Sequence, residues 1–307
     1  MAPQHRIISL LPSATEIVCS LGLKDRLVGR SHECDYPPGI EQLIVCSQPK
    51  YRSSGTSAEI SREVSAILRE ALSIYRVDVE KIKALEPTHI ITQSQCAVCA
   101  VSTDELRVAL HECLHGDNIA LIDLNPESLD HVLENILLVA DILDVHREGK
   151  ELVSKMKESF GDVQAKTREC SHQPRIAHIE WIEPIMVAGH WMMSLIDMAG
   201  GSNVFLDECT RWINFEDLVQ RDPDKILIAP CGFSIQRSLK DMPFLEKRSG
   251  WNTLKAVREH EVYICEGSHY INRPGPRLVD SLEILTEIFH HDLFPAKHYQ
   301  SGWIRFG

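Results

Sequence analysis

The chain has 307 residues, 44% of them hydrophobic and 25% charged, which excludes fibres and short disulfide scaffolds and supplies core material for about two domains at ~150 residues each. Thirty-two basic residues against forty-four acidic ones leave a formal charge of −12; without a basic stripe to follow a phosphate backbone, nucleic acid is not an expected partner. No run approaches the ~18 consecutive apolar residues of a membrane span, so a membrane-spanning protein is not expected either.

The ten cysteines are spread along the whole sequence, a distribution that favours reduced thiols over a bridge framework. Residues 1–6 run straight into a strand pattern with no conventional secretory leader. The expected location of the chain as given is therefore cytoplasmic, and periplasmic if a leader has been removed.

In chain order, Arg6–Leu10 predicts a short buried strand, followed by a helix that stops at Leu21-Gly22, where Gly can take the left-handed C-terminal position. A second strand covers Arg26–Arg30, and a helix is expected over Ser57–Tyr75 with Ile60, Val64, Ile67, Leu68, Ala71 and Leu72 on one face. A third strand follows Glu86-Pro87, a helix is expected from Ser102, and Asn118–Asp123 reads as a closing strand. Asn125-Pro126-Glu127 opens another helix, with Leu129, Val132, Leu133, Ile136, Leu137 and Ala140 at helical spacing. A long helical run from His146 to about Arg168 follows, enough to span ~35 Å at ~1.5 Å per residue. The pattern then restarts with a strand over Arg175–Ile179, a helix ending at Ala199-Gly200-Gly201, a closing strand over Glu261–Glu266 and a last helix over Leu278–Phe289.

This restart is a degenerate repeat. The segment from Val79 to Thr92 aligns without gaps on Phe215 to Ile228, each a short helix, an acidic residue followed by Pro, and a buried strand. Alternating strands and helices predict parallel sheets. The expected fold is α/β, with two Rossmann-like lobes on central parallel sheets joined by one long helix. The domains are 1–145, a connecting helix over 146–170, and 171–307.

Two such lobes, an opening Ile7-Ile8-Ser9-Leu10-Leu11-Pro12-Ser13-Ala14-Thr15-Glu16 and the later Arg273-Pro274-Gly275-Pro276-Arg277-Leu278-Val279-Asp280 resemble the helical-backbone (class III) substrate-binding proteins of ABC importers. The likeness covers nearly the whole chain and is nearest to the cobalamin-binding branch. It implies a ligand held between the lobes, an importer permease as partner and little relative lobe motion.

Ligands of open α/β sheets collect beyond the carboxyl ends of strands, so the residues just after each strand are the candidates. Ser13 and Glu16 follow the first strand at capping-box spacing, where a helix N-terminus can receive an anionic group. The second strand empties into His32, Glu33 and Cys34, and the third into Gln95, Cys96 and Cys99. The pair Cys96 and Cys99 has zinc-clamp or redox spacing, with Cys34, His32 and His190 as further candidate ligands for Zn or Fe, or all of these thiols simply line a pocket. In the second half Glu180, Trp181, His190, Trp191, Phe233, His269, Tyr270 and Arg273 occupy corresponding places, aromatics suited to a planar apolar ligand and polar groups to its edges.

His111-Glu112-Cys113-Leu114-His115 matches a zinc-protease motif. Its helical context, with Leu106, Leu110 and Leu114 forming the buried face, reads instead as an amphipathic helix ending in dipole-complementing histidines. No phosphate-binding loop, dinucleotide fingerprint or serine-hydrolase elbow occurs. The expected function is binding of a cobalamin-like corrinoid or other metal chelate in an inter-lobe cleft. The alternative is a cytosolic metal-dependent enzyme or metal-binding protein using the Cys and His groups of the same cleft.

Overall fold

The computed structural model describes residues 5–70, 74–93, 106, 119–205 and 210–307. The chain divides into two compact units, one of residues 1–55, 62–126 and 131–154, the other of residues 56–61, 127–130 and 155–307.

The first unit is built on five parallel strands. They are β1 (Ile7–Ser9), β2 (Leu27–Arg30), β3 (Ile44–Val45), then, after an antiparallel pair of β4 (Ser47–Pro49) with β5 (Tyr75–Val77), β6 (His89–Thr92) and β7 (Ala120–Asp123). The sheet order β3-β2-β1-β6-β7 places β1 centrally. The chain leaves β1 toward β2 and later returns on its other side as β6. Such a reversal opens a crevice at the carboxyl ends, here just past Ser9, Arg30 and Thr92. Helices α1 (Pro12–Ser20), α2 (Ser57–Glu70) and α3 (Val79–Ala84) accompany these strands. Ile8, Leu10, Ile74, Ile82, Ile90 and Leu106 form a buried cluster against which Val64 and Ile67 of α2 pack.

Helix α4 (Leu129–Ile142) buries Leu129, Val132, Leu133, Ile136 and Ala140, the stripe expected from its spacing. Helix α5 (His146–Thr167) continues without a break, its residues up to 154 grouping with the first unit and those from 155 with the second.

The second unit has a larger, mixed sheet. Its strands are β8 (Arg175–Trp181), β9 (Met186–Val187), β10 (Ser202–Asn203), β11 (Arg211–Trp212), β12 (Lys225–Ile228), β13 (Val262–Cys265) and β14 (Trp303–Phe306). The order is β11-β9-β8-β12-β13-β14, with β10 also on β8. The central strands β8, β12 and β13 are parallel, whereas β9, β11 and β14 pair antiparallel at the flanks. Helices α6 (Trp191–Met198), α7 (Phe215–Arg221), α8 (Ile235–Glu246), α9 (Lys255–Arg258) and α10 (Leu278–Phe289) complete it. All four residues of both β12 and β13 are buried, which is why Ile226–Ile228 and Val262–Cys265 read as unbroken apolar runs instead of alternating ones.

The internal repeat is realised element for element: α3 then β6 in one unit, α7 then β12 in the other. The aligned acidic residues even share a conformation. Glu86 and Asp222 adopt positive φ of 43° and 40°, the left-handed region unusual for a non-Gly residue, and in both the following proline forbids the helix to continue. Gly22 and Gly200 have φ of 79° and 75° at the ends of α1 and α6, the positive-φ role expected of them.

Three expectations need correction. The helix predicted from Ser57 does not extend to Tyr75; Tyr75 lies in β5, whose backbone pairs with Ser47–Pro49, and Tyr and Val suit that pleated pairing better than a helix end. Leu68 is 39% exposed, because α2 meets its core through Val64 and Ile67. Ser13 and Glu16 do not form a capping box, since α1 starts at Pro12 with Leu11 as its uncapped N-cap. A proline at the first helical position gives up an N–H that would have lacked a partner anyway, and it moves both residues inside the helix, where they are buried.

Candidate functional site

In the first unit the loop leaving β2 carries the densest chemistry. The Arg30 guanidinium donates to the carbonyls of Ser31 and Cys34 at 3.0 Å each and to that of Glu41 at 3.0 Å, tying down both ends of the turn. His32 sits on this turn with Nδ1 3.2 Å from the Ser47 hydroxyl and its ring 5.5 Å from that of Tyr75. Burial pushes its pKa down to about 4, outweighing the hydrogen bond that favours the charged form. At neutral pH His32 is therefore an uncharged imidazole, and its 3.8 Å approach to Glu33 is not an ion pair. Glu33 in turn accepts from the Tyr75 hydroxyl at 3.5 Å.

Cys34 behaves differently from its neighbours. It is 1% exposed, the Thr15 hydroxyl lies 3.0 Å from Sγ, and Thr15 is bound to the Ser9 hydroxyl at 2.8 Å. This small buried network pins β1, α1 and the 31–34 turn together. Gln93, after β6, is also buried. Gln95, Cys96, Cys99 and the 111–115 motif lie outside the described residues. Among the described residues, His32, Glu33 and Cys34 do not form a set of ligand atoms converging on one point.

In the second unit β8 runs through Trp181, so Glu180 and Trp181 are its last two residues and not, as expected, loop residues after it; His190 and Trp191 follow β9, Phe233 follows β12, and His269, Tyr270 and Arg273 follow β13. Glu180, near the end of β8, accepts a hydrogen bond from the Thr210 hydroxyl at 3.1 Å, and Thr210 itself accepts from the Gly189 N–H at 3.2 Å. Burial raises the Glu180 carboxyl to about 7, and the Thr210 bond offsets this only in part. Trp181 is committed: its indole N–H donates to the Ser61 hydroxyl at 2.8 Å and its ring meets Phe233 edge-on at 5.1 Å. Phe233 is 2% exposed and lies under the Arg237 guanidinium at 3.9 Å, so it supports the site from below.

His190 and Trp191 stack at 6.0 Å with planes 25° apart. His190 holds φ 54° and ψ −134°, a region that costs a non-Gly residue energy and is tolerated where surrounding structure imposes it. The Trp191 indole N–H donates to the Ile271 carbonyl at 3.3 Å, joining this helix start to the 267–271 turn. That turn is possible because residue 267 is Gly: a Cβ there would stand 2.3 Å from the Pro230 carbonyl oxygen. It presents exposed His269 and half-buried Tyr270, whose ring lies 5.1 Å below the Arg277 guanidinium. Glu266 anchors the turn by accepting from the Ile235 N–H at 3.0 Å and from the Ser268 hydroxyl. Arg273 is only 6% exposed and serves the interior of this region.

Sequence reading overlooked three features here. Thr210 orients Glu180, Arg237 covers Phe233, and Trp212 is 56% exposed. Thr210 acts on a partner 30 residues away, which no spacing shows; Arg237, four residues after Phe233, and Trp212, an aromatic between polar residues, could have been suspected.

Two related α/β units joined through a helix, each gathering polar and aromatic groups at its strand ends, define a binding protein of the helical-backbone type. A model of the periplasmic binding protein family matches residues 7–268; the chain belongs to that family. It is similar to an uncharacterized ABC transporter substrate-binding lipoprotein of Bacillus subtilis, 25% identical over 298 residues covering 94% of this chain and 81% of the relative. It is also 25% identical to a vitamin B12-binding protein of Vibrio cholerae over 286 residues, 92% of this chain and 87% of the relative. The crystal structure of a periplasmic heme binding protein from Pseudomonas aeruginosa shares the fold, with a TM-score of 0.75 at 18% identity over 99% of this chain and 98% of that one. These relationships support ligand binding and lend no support to the alternative of a metal-dependent enzyme.

Proposed function

We propose that this chain binds a corrinoid, cobalamin or a close chemical relative, and delivers it to the membrane permease of an ABC importer, working outside the cytoplasmic membrane. The observation that carries the ligand class is the relationship to a vitamin B12-binding protein over 92% of the chain. The chemistry of the strand-end loops agrees with it. Stacked His190 and Trp191 together with Tyr270 offer flat apolar surface, which suits a macrocycle bordered by amides. Neutral His32 and a Glu180 carboxyl poised near neutrality hydrogen-bond amide edges without burying a fixed charge against them.

Titration of the purified chain with cyanocobalamin, following the corrin absorbance and the melting temperature, tests the reading. One equivalent bound with a rise in Tm is expected, and Trp191→Ala or Tyr270→Ala should weaken binding at least about tenfold, as loss of an aromatic anchor does. No change in either signal at large excess of cobalamin overturns the corrinoid assignment; binding of haemin in its place would reassign the ligand to a porphyrin.

A further inference from the structure

Behind the 267–271 turn, three side chains of the second unit converge with no role in the reading above. Asp280 and Glu283 lie one turn apart on α10, and His298 comes from the segment between α10 and β14. One ligand atom from each falls within 4.8 Å of the other two. We propose that this trio is a binding site for a divalent first-row metal cation such as Zn²⁺ or Mn²⁺.

The argument rests on the two faces of one imidazole. On the Nδ1 side His298 is fully accounted for: Nδ1 lies 2.7 Å from Glu287 Oε1, and the His298 backbone N–H donates to the same carboxylate at 3.1 and 3.2 Å. The Trp303 indole N–H completes that cradle at 2.7 Å. An acceptor-only carboxylate in this position holds a proton on Nδ1 and turns Nε2 the other way. That side faces two more carboxylates. Nε2 stands 3.7 Å from Glu283 Oε2 and 4.0 Å from Asp280 Oδ1, too far for hydrogen bonds. The His298 side chain is only 9% exposed, and the nearest basic nitrogen to the Asp280 carboxylate among the described ion pairs is this Nε2.

An imidazole Nε2 facing two carboxylates is an arrangement that a shared metal cation fits, the ion taking the place of any proton on Nε2. The two separations from Nε2 need to shorten by only about 0.3–0.6 Å to reach the ~3.4 Å between ligands of a tetrahedral ion bound at ~2.0–2.2 Å, and rotation of the two carboxylates brings their oxygens together. The Glu287 carboxylate behind Nδ1 is the outer partner that commonly orients and strengthens a metal-bound histidine. One imidazole with two carboxylate oxygens suits Zn²⁺ or Mn²⁺ and leaves positions for water. Edge contact of the Tyr270 ring with His298 at 6.0 Å further restrains the imidazole. Lys297 competes for the site: its ammonium, on a 64% exposed side chain, holds Glu283 Oε2 at 2.7 Å and must swing into solvent when the ion binds.

The test uses the full chain freed of metal by chelator, and Mn²⁺ as the probe, since thiols and lone imidazoles hold it weakly. Loss of the free-ion electron paramagnetic resonance signal should show one bound Mn²⁺, with nitrogen modulation from a single imidazole. Asp280→Asn and Glu283→Gln, both at partly exposed positions, should each weaken binding at least tenfold and abolish the Mn²⁺-dependent rise in Tm, while Lys297→Ala should tighten binding. Failure of both Mn²⁺ and Zn²⁺ to bind at millimolar concentration, or equal affinity in the Asp280→Asn/Glu283→Gln double variant, overturns the proposal. Neither result depends on whether the chain binds a corrinoid.

Discussion

Replacing Glu180 by Gln should make the second unit more stable at mildly alkaline pH and leave it unchanged in acid. The Glu180 carboxyl is raised by burial from its ordinary 4.5 to about 7, so between these values the folded state holds a proton that the unfolded state has released. Stability from this group is therefore fully present below about pH 4.5 and lost as pH rises through about 7. The rise from 4.5 to about 7 at ~1.36 kcal/mol per pH unit sets an upper bound of ~3.4 kcal/mol, and partial solvent access makes ~2 kcal/mol the expected gain for Glu180→Gln at about pH 8. The carboxamide oxygen still accepts from Thr210, so the comparison isolates the charge. All five tryptophans lie in the second unit, and urea unfolding followed by their fluorescence reads its stability directly. Wild type and variant should coincide at about pH 4 and diverge through neutrality. Parallel pH profiles for the two proteins would refute the claim that Glu180 is buried against its charge.

His32 should act with the opposite sign, in acid. Its pKa is lowered to about 4 by burial, so the stability it contributes is present above about 6.5 and lost as pH falls toward 4; His32→Gln should flatten this acid limb, measured by amide exchange in β1 and β2. His178 is fully buried with neither ring nitrogen hydrogen-bonded among the described residues. His178→Leu should therefore stabilise the second unit by ~1 kcal/mol in urea unfolding, since an orphaned polar group is removed. Gly267→Ala should destabilise the unit by ~1–3 kcal/mol, the usual range for forced overpacking, because the new Cβ meets the Pro230 carbonyl; cobalamin binding should weaken with it as the turn bearing Tyr270 shifts. Thr15→Val should cost ~1–2 kcal/mol by stripping Ser9 and Cys34 of their shared hydroxyl, detected as faster amide exchange in α1.

Local rules made much of this protein legible. The repeat at 79–92 and 215–228, the apolar stripe of α4 and the limits of α10 follow from spacing alone, because a 3.6-residue period and a helix-stopping proline act within a few residues. The placement of candidates at strand ends followed from the same pattern.

Which of those candidates faces solvent and which is structural was decided by partners distant in the chain. Cys34 looked like a metal ligand and proved a buried pin, held by a threonine 19 positions earlier. Phe233 and Arg273 looked like ligand contacts and are buried instead. The antiparallel strand β14 and the convergence of His298 on Asp280, Glu283 and Glu287 arise because the segment after α10 folds back along β13. Sequence by itself determined two α/β units and where their chemistry gathers, since strand and helix periods are local. Tertiary structure alone decided which atoms meet and how burial tunes them, since hydrogen-bond partners and desolvation depend on residues that no sequence spacing brings together.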